Sequence, residues 1–156
     1  MSIEPLSLVE SNKKLVERLY AEVINGGDAE AAQRLVSSDF AQRQVFVGQS
    51  DDGRRGAAAL LATLAPLRAA FPDMAFALED VLAENDRVAV RWTMTATHQG
   101  TFAGIEPTHR RISQNGLVFY RVADERIAES WALVDVYGLM LQIGAIAPPK
   151  QTGSTA

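Results

Sequence analysis

The hydrophobic period of the chain changes once, at Pro72-Asp73, and this change constrains the fold more than any other feature. Before it, apolar residues recur at helical spacing; after it, they alternate. From Leu8 to Ile24 they fall at Leu8, Leu15, Val16, Leu19, Tyr20, Val23 and Ile24, the three-and-four spacing of one amphipathic helix. Asn25-Gly26-Gly27 stops it, because glycine enters the left-handed C-terminal conformation without a Cβ penalty. Asp28 has the side chain to cap a second helix running to Ser37. Asp39 to Val47 reads as a short extended piece, and Gly48 to Gly56 as a polar loop. A third helix is expected from Arg55 to Phe71, with Leu60, Leu61, Leu64, Leu67 and Phe71 on one face and Pro66 placed to kink it.

Beyond Pro72, Met74 to Ala83, Arg87 to His98, Arg111 to Val122 and Arg126 to Val136 are rich in β-branched, aromatic and alternating residues. Glu84 to Asp86 and Ala123 to Glu125 supply polar turns, so the first and last pairs read as hairpins. Gln99 to Arg110, with Gly100, Gly104 and Pro107, reads as a surface loop at one rim. Helices followed by an antiparallel meander predict an α+β domain over residues 1–147, with the helices on one face of a curved sheet. Residues 148–156 form a small, polar tail expected to be disordered.

Composition excludes several functions. A formal charge of −4 without any Lys/Arg run argues against a nucleic-acid partner. No apolar run reaches the roughly 18 residues that cross a bilayer, and the first residues lack the pattern of a secretory leader. The expectation is a cytoplasmic protein with no membrane partner. Having no cysteine and only two histidines, the chain assembles no metal-ligand cluster from its sequence. It also shows neither a Gly-x-Ser-x-Gly elbow nor a phosphate-binding glycine pattern.

The last strong segment, Arg126 to Asp135, alternates as a strand and passes through Gly138 into a short apolar helix ending at Ile143. Asp135 stands there as a carboxylate among apolar neighbours, and such a group is costly to ionise unless paired. Two readings are open: Asp135 is tuned for proton chemistry, or it caps the short helix or pairs with an arginine.

Asn12-Lys13 with Tyr20, Asn25 to Asp28, Asp39-Phe40, Gly53 to Gly56 and Phe71 to Asp73 occur in the first half. Asp86 to Arg91, Thr97 to Gly100, Pro107-Thr108, Arg121-Val122 and the series Trp131, Asp135, Gly138, Gln142, Ile143, Gly144 follow. In this order and spacing they resemble the SnoaL-like polyketide cyclases, a branch of the NTF2-like superfamily. The resemblance implies an α+β cone, in which a curved antiparallel sheet and N-terminal helices enclose a deep apolar pocket. It also implies a homodimer without metal or organic cofactor that acts on a small hydrophobic molecule. Founding members close a polyketide ring by an intramolecular aldol reaction, using a His-x-Asp pair on the last strand. Here the matching positions are Ser130 and Ala132, and Arg43 replaces a histidine that many relatives carry after the Asp-Phe segment. A hydroxyl and a methyl do not shuttle protons near neutral pH, so the resemblance carries fold and pocket but not the aldol mechanism.

Within that frame, Asp135 is the first candidate acid/base. His98 is the second, on the same strand face as Trp92, Met94 and Ala96 by the two-residue period, or else it shapes the loop that follows. Arg43 is a candidate for a substrate carboxylate or enolate at the cavity mouth, or a surface residue. Tyr20, Gln114 and Ser130 are candidate neutral hydrogen-bond groups, and Trp92 and Trp131 either stack on an aromatic substrate or pack in the core. His109, after Pro107, is expected in solvent. The function expected is a tailoring enzyme that cyclises, opens, isomerises or hydrates a polyketide-type intermediate. The alternative is a non-catalytic binding protein for a hydrophobic small molecule.

Overall fold

A computed structural model describes residues 7–44 and 52–150 of the chain. Its first helix, α1 (Leu8–Arg18), is capped by the Ser7 hydroxyl, which accepts from the Glu10 N–H. The apolar stripe expected to continue as one α-helix continues instead as a π-helical segment, Leu19–Asn25. This segment buries Leu19, Tyr20, Val23 and Ile24. Asp28 caps α2 (Ala29–Leu35) through the Ala31 N–H, as its chemistry predicts. That helix ends at Leu35, two residues before its expected end at Ser37, and the chain turns extended at Val36 and runs as β1 (Val36–Gln44). The end of the expected extended piece, residues 45–47, and the first part of the polar loop, residues 48–51, lie outside the described residues. The third helix, α3 (Gly56–Ala70), holds Pro66 within it.

The alternating half forms β2 (Ala75–Glu84), β3 (Arg87–Thr97), β4 (Arg111–Ala123) and β5 (Arg126–Val134), followed by α4 (Val136–Gln142). The sheet order is β1-β5-β4-β3-β2. All neighbours are antiparallel except β1 and β5, which pair in parallel. Register breaks between Leu78 and Asp80 on β2, and between Arg121 and Val122 on β4, are bulge-like irregularities that bend the sheet.

Burial alternates along β3 and β4. Val88, Val90, Trp92, Met94 and Ala96 on β3 and Ile112, Gln114, Val118, Tyr120 and Val122 on β4 face the helices. The even-numbered side is therefore the inner, concave face. Trp92 lies opposite Gly116 in the β3–β4 register, and its indole occupies the space that a Cβ on Gly116 would need. Phe76 meets the same indole edge-on, with ring centroids 4.7 Å apart. At the sheet's edge, the Asn25 side chain accepts from the Phe76 N–H and donates to the Phe76 carbonyl, pinning β2 to the end of the π-helical segment. Among the described residues no helix is long and apolar enough to cross a membrane.

Candidate functional site

The polar side chains that this fold buries are few: among the described residues, Asn12, His98, Gln114 and Ser130, with the hydroxyls of the buried Tyr20 and Tyr120. Asn12 donates to the Asn85 carbonyl and ties α1 to the β2–β3 turn. The strand alternation places His98, Gln114, Tyr120 and Ser130 on the concave face. None of the described carboxylates is buried.

His98 follows the last residue of β3, and its backbone extends the β3–β4 ladder. Its N–H donates to the Arg110 carbonyl, and its carbonyl accepts from the His109 N–H, each at 2.9 Å. The ring is fully enclosed and lies 5.5 Å from the ring of Phe71. Nδ1 is 3.2 Å from the Thr108 backbone N–H, which donates to it, and 3.0 Å from the Thr108 hydroxyl. Nε2 is sealed from solvent and has no hydrogen-bond partner among the described residues. A buried, unpaired polar atom is uncommon in folded proteins.

Tyr120 donates to the Tyr20 hydroxyl at 3.0 Å, with the two rings edge to face. Burial pushes both phenols above their ordinary range, Tyr20 further through the proximity of Tyr120, so both stay protonated near neutral pH. Tyr120 lies opposite the buried Ser130 across β4 and β5. Gln114 donates to the Asp135 carbonyl at 3.2 Å, which holds its amide in place on the same face. Trp92 packs there between Phe76 and Gly116.

Three expected site residues lie elsewhere. Asp135 is exposed and directly follows Val134, the last residue of β5. Its carboxylate accepts from the Gly138 N–H at 2.7 Å and caps α4, which corrects the picture of a carboxylate enclosed by apolar neighbours. Arg43 is on the outer face: the parallel register sets it beside Trp131, and its guanidinium bonds the Glu129 carboxylate at 2.9 Å. Glu129 also accepts from Arg121 at 2.7 Å, and these two arginines, Arg121 first, hold its carboxyl below the ordinary range. Trp131 faces the same outer side, half-buried beneath the Arg87 guanidinium, 5.0 Å from the ring centroid. His109 is exposed, as expected.

Two larger grooves lined by described residues lie away from the concave face. One, of about 540 Å³, runs between α1 and the β4–β5 turn, past Lys14, Arg18 and Asp124. The other, of about 440 Å³, lies on the outer face between Arg91, Leu117, Leu133 and Asp135.

The sequence profile of the SnoaL-like polyketide cyclases matches residues 14–143, which take in the whole sheet and all the helices but the start of α1. The chain belongs to the SnoaL-like polyketide cyclase family. Solved structures agree. AclR, a candidate hydroxylase from Streptomyces galilaeus, is 27% identical with a TM-score of 0.77, over 92% of this chain and 87% of that one. IdmH, a candidate polyketide cyclase from Streptomyces antibioticus, is 28% identical with a TM-score of 0.74, over 85% and 98%. A SnoaL-like polyketide cyclase candidate from Jannaschia sp. CCS1 shares the fold at 23% identity and a TM-score of 0.78, over 95% and 100%. No curated protein sequence matches the chain.

As a SnoaL-like protein the chain departs from the expected last-strand acid/base pair at two positions whose geometry is now plain. Ser130 is buried opposite Tyr120, and Ala132 is half-buried opposite Val118. Sequence reasoning gave no role to Tyr120 or Thr108. The period that set Gln114 inward also sets Tyr120 inward, so that signal was available. Thr108 reaches His98 only because residues 99–110 fold back as a loop, which no local pattern announces.

Proposed function

We propose that this SnoaL-like protein is a cofactor-independent tailoring enzyme that holds a small, largely apolar polyketide-type intermediate against the concave face of its sheet. There it promotes ring closure, or a related epoxide opening, isomerisation or hydration. The observation that carries this reading is His98: an enclosed imidazole on the inner face, with one nitrogen held by Thr108 and the other without a partner among the described residues. The family's match and the name of IdmH, a candidate polyketide cyclase, support the substrate class.

The chemistry suits a 1,3-dicarbonyl substrate. Its central carbon gives a proton to water before the substrate enters the site; ring closure then forms one carbon–carbon bond as the attacked carbonyl's π bond opens, and the charge left on its oxygen is quenched by a proton from water on release. The protein's part is to orient the two carbons, exclude water and place hydrogen-bond donors where charge develops. His98 Nε2 is the donor for that oxygen, and Tyr20, Tyr120, Gln114 and Ser130 are the neutral polar groups around the substrate, with Trp92 beneath it. Asp135 stays outside as a helix cap. The second reading, a binding protein without turnover, is favoured by Ser130 and Ala132, neither of which shuttles a proton near neutral pH.

We also propose a homodimer in the cytoplasm, the dimer supported by the exposed Leu82, Leu117, Phe119 and Leu133 on the outer face. Incubating the protein with an aromatic poly-β-keto ester and separating products by chromatography decides between enzyme and binder. Accelerated appearance of the ring-closed isomer supports the enzyme. Tight binding with the starting ester recovered intact supports the binder.

A further inference from the structure

The loop from residue 99 to 110 does more than connect β3 to β4. Its first residues are pinned, since the Gln99 and Gly100 N–H groups both donate to the Ala70 carbonyl at the end of α3. Its last residues return beside His98, so the Thr108 amide meets Nδ1 at 3.2 Å. An amide N–H donates and never accepts. Nδ1 must therefore present a lone pair, and in the neutral ring the proton resides on Nε2. The Thr108 hydroxyl, 3.0 Å from the same nitrogen, rotates to donate as well. The opposite tautomer would set an Nδ1–H against the amide N–H and break the hydrogen bond.

A ring locked this way has a defined chemistry. To act as the base that takes a proton at Nε2, His98 needs its lone pair there, which the Thr108 amide disfavours. Nε2–H is instead a donor, enclosed, and without an acceptor among the described residues. Its complement is an oxygen with electron density to share, a carbonyl or an enolate.

We propose that Thr108 is a positioning residue that locks His98 in its Nε2–H form, and that His98 is an electrophilic donor to a ligand carbonyl or enolate oxygen and not the base that takes the substrate's proton. The donor role rests on the reading of the concave face as the substrate site; the tautomer lock does not. The tautomer is read from long-range proton–nitrogen correlations of the ring in protein labelled with ¹⁵N-histidine, at neutral pH. Only His98 and His109 contribute, and the His98→Gln spectrum assigns them.

The expected result is one His98 species with separate nitrogen shifts and its proton on Nε2, retained in Thr108→Val, which keeps the amide. Thr108→Pro, which removes the amide, should give averaged shifts; if that variant does not fold, wild type and Thr108→Val still decide. A proton on Nδ1, averaged shifts in wild type, or loss of the lock in Thr108→Val would overturn the lock while leaving the concave face as the substrate site. Adding 1,8-dihydroxyanthraquinone, a planar probe rich in carbonyl and phenolic oxygen, should move the Nε2–H signal downfield. Saturable binding of this probe with that signal unmoved, or no binding at all, contradicts the donor role and leaves the lock intact.

Discussion

Tyr20 and Tyr120 share one hydrogen bond away from water, so removing one hydroxyl strands the other. Tyr20→Phe should destabilise the protein by about 1–3 kcal/mol, the range for leaving a buried polar group unsatisfied. Adding Tyr120→Phe removes the stranded group, and the double variant should lose less than the sum of the single losses. Urea unfolding of the four proteins measures this, and strict additivity would mean that the 3.0 Å contact has no energetic content. At this scale the sequence was informative wherever strand parity decides. His98 was expected on one face with Trp92, Met94 and Ala96, and all four are buried on the inner face. For Asp135 and Arg43 two readings were open, and the structure shows the helix cap and the surface arginine; their surroundings depend on where β5 ends and on which strand β1 joins. Neither is a property of the residues next to them in the chain.

Asp73 shows how the elements are fastened. Its carboxylate sits in the turn after α3 and accepts from both the N–H and the hydroxyl of Thr97, each at 2.7 Å, at the end of β3. These bonds, the backbone one first, hold its carboxyl below the ordinary range. A carboxyl depressed in the folded state contributes stability above its unfolded value, about 3.9, and that contribution fades as pH falls through the folded value. Asp73→Ala should therefore lower the urea midpoint most at neutral pH, with the gap to wild type closing as the solution is acidified below about pH 4. A gap independent of pH would contradict the assignment. The helices and strands themselves were legible in the hydrophobic period, but the π-helical segment was not. Its wider turn keeps Tyr20, Val23 and Ile24 on one apolar stripe, just as an α-helix does, so the pattern of residues cannot distinguish them. The parallel strand β1 was anticipated only as an extended piece, since pairing across most of the chain's length leaves no local mark.

For the molecule as a whole, a curved sheet with helices on one face leaves the other face to be accounted for. Along β4 that outer face runs Arg111, Ser113, Asn115, then Leu117 and Phe119 before Arg121, so it changes from polar to apolar partway. Together with Leu82 and Leu133 this makes a patch of the kind that water-facing surfaces seldom keep. Phe119→Glu should convert the proposed dimer to monomer in sedimentation velocity without loss of the folded circular-dichroism signal. A wild-type protein that sediments as a monomer at high concentration would remove the proposal. The family was readable in scattered residues because they lie at the turns, caps and close approaches that this fold demands, as at Gly138 beside the Asp135 cap. The chemistry was less readable, since it resides in contacts between distant segments.

The central claim is that the reacting oxygen meets His98 on the concave face and that Asp135 only caps α4. Single-turnover conversion of an aromatic poly-β-keto ester, compared for wild type, His98→Gln and Asp135→Asn, tests it directly. Asn also caps helices, so Asp135→Asn should keep the fold and the rate of wild type. His98→Gln should lose about 100-fold or more in rate, the scale of removing one oxyanion donor. A fully active His98→Gln beside an inactive but folded Asp135→Asn would contradict the account.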